Sequence, residues 1–341
     1  LIQSQVCQRA LSSKKIKAEA FDPDADNSWD TWRFFNDWVG SQFLSTLPSQ
    51  FEHSPQFYGG DRHLGLIVIE DVQHQTRLVE PLMANDLAQA EAALLKYAAC
   101  LGHLHGETIG KAPQFWQLFE TVAPNLKPTP AMLIIPMYQS MLEYLGIEPE
   151  TGWLQDLEAI NASVAHPGDF FAYIHADTCP DNVLDTGAAL RLIDFETGHF
   201  GHAFIDAAYG RMMFSNCWCS SRLPHPVIQQ MEQTYRAILI PHCSAAADDQ
   251  IFATEFAHIC GYWLLHTFRL HGHYIFEQDA EWGGSTVRQR LLAQMTALIT
   301  ACEEFNRLPR LRATICRLQA RLQQQWSELP DLPLFPVFQE P

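Results

Sequence analysis

The chain has 341 residues, 47% of them hydrophobic, which is enough to bury a sizeable core and to form two packed units rather than one. Twenty-two basic against thirty-nine acidic residues leave a formal charge of −17. This excludes a general nucleic-acid binder, because phosphate neutralisation needs a basic face; the field would attract a cationic ligand, although acidic excess also serves solubility.

The chain starts at Leu1 without a methionine and reads as trimmed or processed there. Residues 15–21, KIKAEAF, alternate polar and apolar positions as a half-exposed strand does. DPDADNS is turn-rich, and Ser28 or Asp30 is placed to cap a helix through WDTWRFFNDWVGSQFLSTL, where Trp29, Trp32, Phe35, Val39 and Phe43 recur at helical spacing and Pro48 ends the run. The apolar run 63–72, HLGLIVIEDV, reads as a buried strand. Asn85 and Asp86 precede a long helix with Leu87, Leu94, Ala98, Leu101 and His105 on one face. Residues 106–136 are loop-rich, then MYQSMLEYLG and TGWLQDLEAINASVA read as helices. Beyond Ala203, FIDAAYGRMMF, HPVIQQMEQTYRAILI, IFATEFAHICGYWLLHTF and the long piece 286–326 are helical, and a proline-rich extended tail follows. The expected division is a nucleotide-binding N-terminal lobe and hinge over 1–72, a helical C-terminal lobe over 73–326, and a tail over 327–341.

No apolar run approaches the roughly 20 residues that span a bilayer, and no signal-peptide core is present, so a soluble cytoplasmic protein with no membrane partner is expected. Nine cysteines with no CxxC pair read as reduced thiols. His103-x-His105 and His271-x-His273 lack further ligands at structural-zinc spacing and read as surface or helix-packing residues.

The chemistry concentrates in YIHADTCPDNVLDTGAALRLIDFETG, residues 173–198. Val183-Leu184 and Leu190 to Ile193 are apolar strands joined by DTGAA, whose Asp185 and Gly187 supply turn chemistry. The hairpin returns its ends to one place, so Asn182 and Asp194 come side by side and offer hard oxygens suited to Mg2+. Asp177, in the loop leading into the hairpin, is placed to take a proton from a hydroxyl nucleophile. These are the parts phosphoryl transfer requires, and the spacing from His175 through Asp177 to Asn182 is that of a kinase catalytic loop, with Asp194-Phe195-Glu196 at the place of D-F-G.

With glutamate in place of that glycine and no A-P-E element, IHAD, Asn182, LIDFE and Asp206 in FIDAAYG resemble the aminoglycoside phosphotransferase and choline kinase group of small-molecule kinases. LIVIEDV is similar to the group's last front-lobe strand and hinge, and LLKYAACLGHLHG to its first large-lobe helix; the likeness covers roughly residues 60–215. It implies a two-lobed, protein-kinase-like α+β fold with a small sheet-containing N-lobe and a large, mainly helical C-lobe. The N-lobe reads as truncated or degenerate: the group's glycine-bearing phosphate hairpin is expected ahead of the strand lysine, yet the first glycine is Gly40, so the loop was lost with the start, or the lobe holds nucleotide differently, or it does not hold it. By the same resemblance Lys17, or Lys15 two residues away, contacts the α- and β-phosphates and pairs with Asp37, one methylene shorter than the group's glutamate. Adenine meets the hinge near Glu70 and Val72. His175, Glu196 and Asp206 play supporting roles: His175 packs the loop, and Asp206 caps the next helix while bracing it. Ala176 stands where the group has glycine, a small change if the backbone there is ordinary.

The implied activity is ATP- and Mg2+-dependent transfer to a hydroxyl of a small molecule, with Asp177 as catalytic residue. Glu277, Asp279, Glu281 and Trp282 make an acidic, aromatic cluster suited to an amine-bearing acceptor such as an aminoglycoside, an amino alcohol or a choline-like compound. The alternative is a catalytically silent kinase-fold protein that binds nucleotide or acts as a scaffold.

Overall fold

A computed structural model describes residues 11–15, 21–24, 29–73, 75–126 and 135–339. At the front lies an antiparallel sheet of three strands, β1 (Leu11–Lys15), β2 (Phe57–Asp61) and β3 (Leu66–Glu70), in the order β1-β3-β2. β3 is the core of the expected apolar strand, with Ile67 fully inside. β2 escapes the sequence pattern because FYGGD carries two glycines, which ordinarily weaken a strand. Gly60 is needed here: a Cβ on it would meet the Trp38 ring at 2.6 Å. The first strand occupies 11–15 rather than 15–21, and residues 16–20, including Lys17, lie outside the described residues. Its side chains are almost all exposed, so pairing with β3, from Leu11 opposite Glu70 to Lys15 opposite Leu66, defines it rather than apolar alternation.

The helix Trp29–Thr46 lies against this sheet and turns Phe34, Phe35, Val39 and Phe43 inward. Trp29 is exposed and stacks on Trp32. In the large lobe, the helix Leu87–Thr108, capped by the Asp86 carboxylate on the Gln89 N–H, packs against His225–Leu239. The stretch expected to be loop-rich contains a helix, Ala112–Val122, that buries Phe115 and Phe119; its proline sits in the first turn, where an N–H is not missed. The long piece 286–326 is two helices, Val287–Phe305 and Pro309–Gln325, broken because Asn306 and Leu308 both turn left-handed just before Pro309. FIDAAYGRMMF is helical only over Phe204–Ala207 and continues as turns. The C-terminal segment is not free: Leu334 bridges to Arg222, and the fully buried Phe335 meets the Phe214 ring.

The loop 175–182 is framed by short strands. β4 (Thr76–Arg77), β6 (Val183–Asp185) and β7 (Leu190–Leu192) form one antiparallel sheet, while β5 (Phe171–Ile174) pairs with β8 (His199–His202). The loop 175–182 runs from β5 to β6. The expectation that all cysteines are free thiols fails: Cys179 and Cys217 form a disulfide, while Cys100, Cys219, Cys243, Cys260, Cys302 and Cys316 are free. The pair is 38 residues apart in sequence, so no short spacing announces it. Among the described residues no helix is long and apolar enough to cross a membrane.

Candidate active site

The loop 175–182 is held from within the large lobe. The Asp206 carboxylate, 1% exposed, accepts the N–H groups of His175 at 2.7 Å and Ala176 at 2.8 Å, and meets His105 Nε2 at 3.2 Å. Asp206 therefore braces the loop as expected but does not cap a helix, since it lies inside the short helix Phe204–Ala207. Burial pushes its carboxyl up, but the His105 hydrogen bond and charge, His175 and the backbone N–H outweigh it and hold the pKa below the usual value. His175 Nε2 meets the Ile193 carbonyl at 2.9 Å, and its Nδ1 takes the Asp177 N–H at 3.3 Å, so one ring ties the loop to the end of the hairpin's second strand. Tyr97 adds a hydrogen bond to Thr178 Oγ1 at 2.7 Å. Ala176 has φ 62°, so the backbone there is not ordinary, and a Cβ at this position is strained.

Asp177 emerges from this loop with its pKa pushed up to about 6, chiefly by burial; His175 opposes the shift, and the charges of Asp194, Asp181 and Glu196 add to it. Tyr209 OH lies 3.4 Å from its Oδ1. Asn182 donates through Nδ2 to the Asp177 carbonyl at 3.1 Å, which commits its amide nitrogen to the loop and leaves Oδ1 out of that bond. The Ile193 N–H bonds the Asn182 carbonyl at 3.0 Å, so the hairpin does return Asp194 to the neighbourhood of Asn182.

Asp194, at φ 71°, carries the second centre. Lys14 Nζ reaches both its Oδ1 and Asp37 Oδ2, the latter at 2.7 Å. The Phe195 N–H donates to the other Asp37 oxygen at 2.9 Å. Partial burial works against the Lys14 charge, but the two carboxylates outweigh it and raise its pKa. Burial pushes the Asp37 carboxyl up, and Lys14 with the Phe195 N–H brings it only part of the way back. The lysine that meets Asp37 is thus Lys14, from the displaced strand, rather than Lys15; Lys17 lies outside the described residues. Glu196 pairs with Arg33 and offers its carbonyl to Asn36 at 3.2 Å, which ties the Asp194-Phe195-Glu196 turn to the Trp29–Thr46 helix a second time.

At the end of β3, where the hinge is expected, the Glu70 carboxylate binds Arg191 at 2.8 Å and the Glu70 N–H bonds the Gln56 carbonyl at 2.8 Å. No hydrogen bond to the Val72 backbone occurs among the described residues. In the acidic, aromatic cluster, Asp279 accepts the N–H groups of Ala280 and Arg288, and the Arg290 guanidinium covers the Trp282 ring at 4.8 Å. Asp279 and Trp282 therefore act within the fold. Residues that sequence reasoning missed are Lys14, His105 and Tyr209; only the position of His105 on the helix face hinted at burial.

Residues 45–237 match the profile of the phosphotransferase enzyme family, more than half of the chain, and the chain belongs to that family. Its fold is kinase-like, a small sheet-bearing lobe on a large helical one. Similar solved structures include a choline/ethanolamine kinase family protein from Mesorhizobium loti, at 14% identity and TM-score 0.46 over 83% of this chain and 82% of that one. A choline kinase from Streptococcus pneumoniae is 16% identical, with TM-score 0.42 over 86% and 87% of the two chains. An ethanolamine kinase from Plasmodium vivax is 13% identical, with TM-score 0.43 over 82% and 74%. No curated protein sequence matches. The family assignment rests on the profile match alone.

Proposed function

We propose that the protein transfers the γ-phosphoryl group of ATP to a hydroxyl group of a small molecule. Asp177 orients the hydroxyl and accepts its proton as the bond to phosphorus forms, and a carboxyl poised near pH 6 suits that task. Lys14 holds the α- and β-phosphates, and Asp37 keeps its ammonium in place. The adenine edge meets the hinge backbone near Glu70 and Val72. The division into a nucleotide-holding part over 1–72, a part over 73–326 that carries the loop, and a closing segment over 327–341 belongs to the same reading, as does a cytoplasmic setting, where ATP is at hand.

The donor set fits a hard divalent cation: the Asp194 carboxylate already attracts the Lys14 ammonium, and the Asn182 amide spends its Nδ2 on the Asp177 carbonyl, so that Oδ1 is its remaining donor atom to a metal. Asn182 and Asp194 would hold Mg2+, which screens the triphosphate charge. Most of the rate then comes from positioning and electrostatics. With the charges of Asp181, Asp194 and Glu196 all bearing on Asp177 and a net charge of −17, an amine-bearing acceptor such as an amino alcohol, an aminoglycoside or a choline-like compound fits best.

The observation that carries this reading is the meeting of Lys14, Asp37 and Asp194, which joins the first strand, the following helix and the end of the hairpin at one point. Calorimetry with ATP tests it, with and without Mg2+, on the wild type and Asp194→Ala. Binding that requires both the metal and Asp194 is expected; metal-independent binding that survives the substitution would refute the assignment.

A further inference from the structure

The Cys179–Cys217 disulfide joins the loop that carries Asp177 to the segment beside it, with Cα atoms 5.6 Å apart. Cys179 Sγ lies 3.2 Å from Asp177 Oδ1. The Tyr209 hydroxyl stands among all three groups, 3.4 Å from that oxygen, 3.5 Å from Cys217 Sγ and 3.8 Å from Cys179 Sγ. Cys217 belongs to a turn entered through Met213 and Phe214, both with positive φ, and its neighbour Trp218 donates its indole N–H to Asp181 Oδ2 at 2.9 Å. From behind, the buried Arg290 guanidinium donates to the carbonyls of Ser215 and Cys217. Segment 214–219 is therefore a wall beside the proton-accepting carboxylate, and the sulfur bridge is its covalent tie to the loop.

We propose that Cys179 and Cys217 form a redox-responsive clasp on the acceptor side of the site, closed by exchange with a low-molecular-weight disulfide such as glutathione disulfide and opened by the corresponding thiol. Closing runs in two displacements. The Cys179 thiolate attacks one sulfur of glutathione disulfide and releases one glutathione; the Cys217 thiolate then attacks Cys179 Sγ of the mixed disulfide and releases the second. The protein loses two electrons and two protons, and both leave on the two glutathione thiols. Both cysteines are buried, so exchange requires the wall or the loop to open, and opening the bond frees both. The exchange stands independently of the phosphotransferase reading; only its consequence for turnover rests on that reading.

The folded protein is equilibrated in glutathione buffers from reducing to oxidising, alkylated and digested, and the peptide linked through 179 and 217 is quantified. Hydrogen exchange over 176–182 and 214–219 is followed in each state, together with ADP formation from ATP with water as acceptor. The expected result is reversible linkage, several-fold faster exchange in both segments on reduction, and a several-fold fall in turnover. Cys219→Ser, removing the nearest buried free thiol in sequence, keeps this behaviour, while Cys217→Ala and Cys179→Ala resemble the reduced wild type under every buffer. No ADP in either state, with the linkage and exchange changes intact, counts against the phosphotransferase reading and supports the clasp. Thiols that stay free at every ratio, exchange rates indifferent to reduction, or stoichiometric zinc uptake by a reduced pair that resists oxidation would overturn the clasp.

Discussion

The Tyr173 hydroxyl occupies the space that a side chain at Gly40 would need, and among the described residues it has no hydrogen-bond partner. Gly40 lies about one turn after Asp37 on the same helix, and its missing Cβ also admits Phe195 Cβ, 2.9 Å from where that atom would stand. This close approach explains how an aspartate, shorter than glutamate, reaches both Lys14 and the Phe195 N–H.

Gly40→Ala is accordingly expected to cost about 1–3 kcal/mol through overpacking and to weaken nucleotide binding by tilting Asp37 away. Tyr173→Phe alone leaves stability unchanged or raises it by up to about 1 kcal/mol, since it removes a buried hydroxyl with no partner. The double variant recovers part of the loss. Urea denaturation of the three proteins checks this; a Tyr173→Phe loss as large as that of Gly40→Ala would show that the hydroxyl has a structural bond.

Ala176→Gly relieves a left-handed residue of its Cβ. The gain is expected to be about 0.5–1 kcal/mol, the relief of strain being offset in part by the greater freedom of glycine in the unfolded chain. Hydrogen bonds from residues 175 and 176 to Asp206 use backbone atoms and survive the change, so turnover stays within about twofold of wild type. Thermal denaturation with a parallel assay reads both.

Asp177→Asn separates catalysis from stability. Turnover falls by about 10²–10⁴. The folded-state pKa of about 6 lies above the ordinary aspartate value, so the native state holds this proton more tightly than the unfolded chain. The contribution of the protonated group is present at low pH and is lost as pH rises through about 6. Asparagine carries no such dependence, so the variant gains on wild type from about pH 4 to 6 and keeps a constant advantage above it. Denaturation midpoints measured across this range decide it; a flat difference would mean an unperturbed carboxylate.

Lys14→Met leaves Asp37 buried without its cation, at a cost on the order of 1 kcal/mol, the lysine being nearly half exposed and its charge screened by solvent. Adding Asp37→Asn restores most of the stability, because the amide can still accept the Phe195 N–H without a charge. ATP affinity stays low in both. Calorimetry beside urea denaturation distinguishes this from a lysine that serves only the fold, for which the double variant would bind as well as wild type.

The site was legible where its geometry is local. Asp177, Asn182 and Asp194 lie on one loop and hairpin, so spacing and turn chemistry alone bring them together. Lys14 was not, because LSSKK has no apolar period and nothing local chooses among Lys14, Lys15 and Lys17; pairing with β3 makes the choice. His105, Tyr209 and Cys217 act through partners 101, 32 and 38 residues away, respectively, which no window of sequence displays. The two-lobed class was legible through the resemblance carried by IHAD, Asn182, LIDFE and Asp206, whereas β2, built from FYGGD, was hidden by its two glycines, of which Gly60 admits Trp38.

The Lys14 contact spans 180 residues of chain and hangs from a strand whose side chains are nearly all in solvent, while the brace between Ala176 and Asp206 spans 30 and is sealed inside. The two halves of the site therefore differ in durability. Local opening of the first strand exposes little apolar surface and costs little, whereas the loop persists as long as the helices around it. On gentle warming the protein is expected to lose its function reversibly while far-ultraviolet ellipticity is still native, so an assay would register an earlier midpoint than the spectrum.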